Sequence, residues 1–116
     1  MNETLLPLLN ITQTEFFTVQ LKASANVRGI PIGTGACKAV RLRVNVLVRN
    51  SQTATPIAAN ERLVYYGDRN SQEFELYAGD GVMFTPSSEL IICQDLSEVY
   101  IRSNGAANVV QVLKYL

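Results

Sequence analysis

The sequence predicts an all-β protein: an antiparallel β-sandwich, jelly-roll-like, of about eight strands, with an extended N-terminal arm. Three observations predict this fold class. Apolar and polar side chains alternate over several short segments, clusters of turn-forming residues separate these segments, and no longer stretch has helical periodicity. Closely spaced strands without helices between them are typical of an antiparallel sandwich or barrel.

The clearest strand is predicted over residues 39–49, where every second side chain is apolar. One face would hold Val40, Leu42, Val44, Val46 and Val48, and the other Arg41, Arg43, Asn45 and Arg49, with Leu47 as the exception. Such alternation places one face of a strand in the core and the other outside it. The segment 39–49 is therefore a half-buried strand with a basic outer face.

Other β-rich runs follow the same logic. The segment 17–23 alternates as clearly as 39–49, and further strands are predicted at 63–66, 73–77, 81–85, 90–93, 98–102 and 108–115, with a weaker ninth at 27–32. The dipeptide Asn104-Gly105 favours a tight hairpin, because both residues tolerate a positive φ. Without a repeat or a shift in composition, residues 15–116 are predicted to form a single sandwich domain.

Residues 1–14 are predicted to form an arm that is apolar without a regular period. Pro7 opposes both a regular helix and a central strand. The apolar side chains of the arm are Leu5, Leu6, Leu8 and Leu9. Exposed apolar surface is unfavourable in water, so the arm either packs on a neighbouring subunit or closes the bottom of its own core.

The composition argues against catalysis. The 116 residues include no histidine, which removes the commonest general base and excludes Ser-His-Asp and Cys-His nucleophiles. Glu73 and Glu75 would share one face of a strand, which is also typical of a solvated edge, and the oxygen-rich run from Asp68 resembles a calcium loop or a turn. We predict no enzyme, cofactor or metal site.

The two cysteines, Cys37 and Cys93, fit neither a zinc site nor a CxxC pair, so buried reduced thiols are the first interpretation and a disulfide between sheets the second. No apolar run is long enough to span a bilayer, and no secretory signal is evident. A protein made in a cytoplasm, without a membrane partner, is expected.

The arginine row of residues 39–49 is the strongest candidate for a functional surface in this sequence. Arg41 and Arg43 should be neighbours on one face, with Arg49 farther along, and guanidinium groups bind carboxylates in a bidentate manner. A solvated face, an interface with an acidic strand and a nucleic-acid surface are the three interpretations. The zero net charge and the absence of interleaved aromatic residues disfavour nucleic acid.

Residues 36–116 contain an ordered set of segments: the basic strand 38–42, the runs 64–68, 74–80 and 95–102, and Gly105 before a valine-rich closing strand. This pattern resembles small virion structural proteins of tailed bacteriophages. The resemblance implies a bacteriophage structural protein of the virion, assembled in the host cytoplasm: a capsid decoration or cement protein. It also implies a homotrimer that binds the major capsid protein, with a small tail or fibre component as the alternative.

The expected mechanism is burial of surface between neighbouring subunits, which would stabilise the viral capsid. The interface is predicted to use the leucines of the arm, the three arginines and two tyrosines, Tyr66 and Tyr77. A carbohydrate-binding module with Tyr65, Tyr66 and Tyr77 as stacking platforms is a second hypothesis, and a hydrolase is the weakest.

The zero net charge conceals two opposed halves. Residues 1–58 hold six basic and two acidic side chains, whereas residues 59–116 hold four basic and eight acidic ones. If the strands of the two halves interleave, copies of the chain can present complementary patches to one another. The charge pattern therefore favours self-assembly.

Overall fold

The computed structural model describes residues 10–21, 28–44, 62–77, 87–104 and 108–116. These residues confirm the all-β fold, with eight strands: β1 (Thr14–Leu21), β2 (Ile30–Pro31), β3 (Ala39–Val44), β4 (Arg62–Gly67), β5 (Phe74–Tyr77), β6 (Ile91–Ile92), β7 (Tyr100–Ser103) and β8 (Asn108–Tyr115). A single 3-10 turn, Leu96–Glu98, completes the described elements. None of these segments forms a helix with the length and apolar character needed to cross a bilayer.

The strands form two antiparallel sheets of four. The first sheet has the order β1-β8-β3-β6 and the second the order β2-β7-β4-β5. The pairing is nested, because β1 pairs with β8, β2 with β7, β3 with β6 and β4 with β5. In the first sheet, strands from the basic half of the chain consequently alternate with strands from the acidic half.

The core lies between the two sheets. Val40, Leu42 and Val44 of β3 are buried and face it, as the alternation predicts. The second sheet contributes Val64, Leu76 and Ile101 to the same cluster. The two sheets thus bury one continuous apolar layer, which is the arrangement of a β-sandwich.

The predicted strand at 98–102 is wrong at its beginning, because Leu96–Glu98 is a 3-10 turn and β7 starts at Tyr100. The Asp95 carboxylate stabilises the turn by accepting a hydrogen bond from the Ser97 amide at 2.9 Å. The weak ninth strand exists as the two-residue β2. The predictions for 45–49, for 81–85 and for a hairpin at Gly105 lie outside the described residues.

Cys37 and Cys93 are free thiols inside the core, in agreement with the first interpretation of the two cysteines. Their Sγ atoms are 3.3 Å apart. Burial raises the pKa of both thiols, so both are protonated at neutral pH.

Candidate functional site

The outer face of the first sheet carries the predicted arginines. Because Val40 and Leu42 point into the core, Arg41 and Arg43 point away from it. Arg41 lies opposite Leu113 of β8, and Leu113 lies opposite Phe16 of β1, so these three residues form one row across the sheet. We call the patch of Phe16, Arg41, Arg43, Gln111 and Leu113 the arginine face; it lines a shallow groove of about 270 Å³.

The arginine face combines an oriented guanidinium group with exposed apolar surface. The Arg43 Nε donates a hydrogen bond to Gln111 Oε1 at 2.7 Å, which orients the exposed guanidinium. Arg41 is half-buried, whereas the Phe16 side chain is 60% exposed. An exposed aromatic ring beside two guanidinium groups is typical of a protein-binding surface. Arg49, the third arginine of the predicted row, lies outside the described residues.

The end of the predicted arm reaches the outer face of the first sheet. Ile11 packs against a small outer cluster of Ala39, Leu90 and Tyr115, apart from the core between the sheets. The Lys38 Nζ donates a hydrogen bond to the Asn10 carbonyl oxygen at 2.7 Å. Residues 10–13 therefore cover part of their own outer sheet face. Leu5, Leu6, Leu8 and Leu9 lie outside the described residues.

A second surface lies at the edge of the sandwich where β6 faces β4 and β5. Its groove has a volume of about 390 Å³ and is lined by the acidic residues Asp68, Glu89 and Glu98. The rings of Tyr66 and Phe74 stack in it with centroids 5.4 Å apart, and Phe74 is 66% exposed. We call this surface, with Asp68, Glu89, Glu98, Tyr66 and Phe74, the acidic groove.

The electrostatics of the acidic groove follow from its side chains. Burial raises the pKa of Tyr66, and the negative charge of Glu89 raises it further, while a hydrogen bond with the Glu89 backbone opposes both. None of the described residues that line this groove is a lysine or an arginine. The groove therefore holds two aromatic rings among acidic side chains.

The structure separates Tyr65 from the other two predicted tyrosines. The Arg102 guanidinium lies over the Tyr65 ring, 4.2 Å from its centroid. Tyr66 packs against the core and lines the acidic groove, and it also shares a second pocket, of about 350 Å³, with Tyr77. The Tyr77 hydroxyl donates a hydrogen bond to the Glu75 carboxylate, which lines that second pocket. Tyr66 and Tyr77 therefore share one surface, to which Tyr65 does not contribute.

The oxygen-rich run from Asp68 forms a turn. The Asp68 Oδ1 accepts hydrogen bonds from the amides of Asn70 at 2.8 Å and Ser71 at 2.9 Å, which is the pattern of an Asx turn. Glu73 precedes β5, so it does not pair along that strand with Glu75. The described residues contain no group of three or more side chains that could hold a metal ion.

Sequence reasoning missed Phe16, Phe74 and Glu89. A signal for Phe16 was available, because it precedes Phe17 in a strand and adjacent side chains point to opposite faces. Phe17 packs against the core, so Phe16 must face outward. No comparable signal marks Phe74 or Glu89, because their surface is created by the meeting of β5 with the edge of the other sheet.

Comparison of the chain with protein-family models, with curated proteins and with solved structures finds no match. The arginine face and the acidic groove are therefore interpreted from their own chemistry.

Proposed function

We propose that this chain is a non-enzymatic structural protein of a tailed-phage virion, a capsid decoration or cement subunit. It assembles with copies of itself, as a homotrimer, and binds the major capsid protein through surface burial. The arginine face carries this proposal, because it places the 60%-exposed Phe16 on the same face of the sheet as Arg41 and Arg43. Aromatic and arginine side chains are the anchors that carry much of the binding energy of protein interfaces.

The position of the arm supports the same function. Residues 10–13 are fixed to the outer side of the first sheet by the Lys38 hydrogen bond and the Ile11 contacts. The described end of the arm therefore lies on the side of the sheet that carries the arginine face. A contact of the arm with an adjacent subunit or with the capsid surface would then adjoin that face.

The nested strand pairing also supports an architectural role. We interpret the orders β1-β8-β3-β6 and β2-β7-β4-β5 as a jelly roll. Viral capsid and lectin domains both use this arrangement of two four-stranded sheets. A fold does not assign a function by itself, so the proposal rests on the surface.

The test is binding of the purified protein to heads of the parent phage that lack their decoration protein. We expect co-sedimentation with the heads and loss of it on deletion of residues 1–9. The Thr34→Ala variant, altered at an exposed position that lines neither surface, should bind as the unmodified protein does. A protein that stays monomeric and does not sediment with heads contradicts the proposed function.

The acidic groove supports a second candidate function, a carbohydrate-binding module. The stacked pair of Tyr66 and the exposed Phe74, with Glu89 beside it, is the kind of site that binds a sugar ring. Glycan-array binding that disappears in Phe74→Ala, with Tyr100→Phe as the control, would favour this candidate. The absence of array binding contradicts it.

A further inference from the structure

The geometry points to the acidic groove as the docking site for the arginine face of a second copy of this chain. This inference rests on the proposed function, since it names the contact by which the subunits assemble. It commits to one occupant, a neighbouring subunit, and to one pair of surfaces.

The charges of the two surfaces are opposite. The acidic groove has three acidic residues among its described lining residues and no described basic one. The described residues that line the arginine face include two arginines and no acidic residue. Arg41 and Arg43 are two positions apart on β3, so their Cα atoms are about 6 to 7 Å apart. Two guanidinium groups at this spacing can engage two carboxylates at once.

Each surface also has an exposed aromatic side chain. Phe16 is 60% exposed on the arginine face, and Phe74 is 66% exposed in the acidic groove. Ile92, on the edge strand beside the acidic groove, is 54% exposed. A contact between the two surfaces would bury these apolar groups while pairing the charges around them, which is how interfaces combine affinity with specificity.

The two surfaces cannot meet within one chain, because they flank the same edge of the sandwich. Ser87 lines the arginine face, whereas residues 89–93 line the acidic groove. Ser88 holds this edge segment to β3: its amide donates to the Leu42 carbonyl oxygen at 2.7 Å, and its Oγ accepts from the Leu42 amide at 2.9 Å. This edge segment therefore lies between the arginine face and the acidic groove of one chain. Each of the two surfaces can contact its complement only on another copy.

A contact between two different surfaces can close in two ways. In a two-fold dimer each copy would place its arginine face in the acidic groove of the other, whereas in a larger ring each copy would contact the next one, if the rotation between subunits allows closure. The homotrimer of the proposed function is the smallest of these larger rings.

The test is a charge exchange across the contact. Arg43→Glu and Glu89→Arg each place like charges in the proposed interface, and both positions are exposed, so neither change disturbs the core. Each variant alone should raise the dissociation constant of self-association about tenfold or more, measured by sedimentation equilibrium. The double variant Arg43→Glu/Glu89→Arg should associate again, because residue 43 of each copy then meets residue 89 of the next copy with the two charges exchanged.

Matched controls change the same charges elsewhere. Arg69→Glu and Glu73→Arg alter exposed positions that line neither surface, and should leave the dissociation constant within about twofold of the original. Circular dichroism on each of these variants verifies that it is folded.

Three results would overturn the inference. Unchanged self-association in both Arg43→Glu and Glu89→Arg would show that the subunits assemble through other surfaces, and the proposed function would stand. A protein that binds phage heads as a monomer would likewise remove the contact between copies and leave the capsid role in place. Glycan binding lost in Glu89→Arg, with self-association intact, would assign the groove to a sugar.

Discussion

The two faces of the first sheet differ in the burial of their side chains, although both are formed by the same strands. On the inner face, Val40, Leu42 and Val112 are fully buried against the second sheet. On the outer face of those strands, Arg43 is exposed and Leu113 is half-buried beside the exposed Phe16. We therefore expect stability to depend on the inner residues of these strands and the proposed association on the outer ones. Substitutions at neighbouring positions should separate the two properties.

The largest expected effect is on the inner face. Leu42→Ala removes a fully buried side chain from the core between the sheets and should lower the free energy of unfolding by about 3 kcal/mol. Urea unfolding followed by circular dichroism measures this change. The next residue is the control, since Arg43→Ala should alter stability by about 0.5 kcal/mol or less. Equal losses at both positions would contradict the division between the faces.

A smaller effect is expected at the turn that borders the acidic groove. A Cβ atom on Gly67 would overlap the Ser71 carbonyl oxygen, which accepts a hydrogen bond from the Asp68 amide at 3.0 Å. Gly67→Ala should therefore lower the free energy of unfolding by about 1 to 3 kcal/mol. Thermal unfolding measures this loss, with the exposed Asn70→Ala as the control. An unchanged melting temperature in Gly67→Ala would show that the turn adjusts freely.

The smallest effect is a pH dependence at the 3-10 turn. The pKa of Asp95 lies below its ordinary value of 3.8, chiefly because the Ser97 amide and hydroxyl donate hydrogen bonds to its carboxylate. Since the folded protein holds this proton less tightly than the unfolded chain, the stabilisation is present above that ordinary pKa. This stabilisation is lost as the pH falls through the pKa that Asp95 has in the folded protein.

Replacing Asp95 with an uncharged residue tests whether its carboxylate causes this pH dependence of stability. We expect the stability difference between the unmodified protein and Asp95→Asn to shrink as the pH is lowered from neutral to below 3.8, measured by urea unfolding at each pH. Ser97→Ala, which removes one donor and keeps the carboxylate, should reduce the pH dependence without abolishing it. A pH-independent difference would mean that the Asp95 charge does not stabilise the turn.

Alternation was sufficient to predict the strands that are buried on one face. Residues 39–44 and 108–115 were assigned correctly because apolar side chains recur at every second position. The beginning of β1 was missed by three residues, since Thr14 to Phe16 pair with β8 although their own side chains are exposed. Hydrogen bonding to a partner strand extends a strand beyond its apolar pattern, and a single sequence does not show the partner.

The candidate surfaces could be predicted only in part. The positions of Arg41 and Arg43 on an outer face follow from the buried residues between them. The acidic groove does not follow from any local pattern, because Glu89 and Phe74 are brought together by the packing of β5 against the opposite sheet. Long-range packing of this kind is determined by topology, which the alternation of side chains leaves open.

Sedimentation equilibrium of Phe16→Ala tests whether the arginine face is an interface between subunits. The variant removes the exposed aromatic ring and leaves the inner face of β1 intact. We predict that Phe16→Ala keeps the melting temperature of the unmodified protein but dissociates to monomers at concentrations where that protein and Thr34→Ala remain assembled. Assembly of Phe16→Ala with an unchanged dissociation constant would contradict an interface at the arginine face.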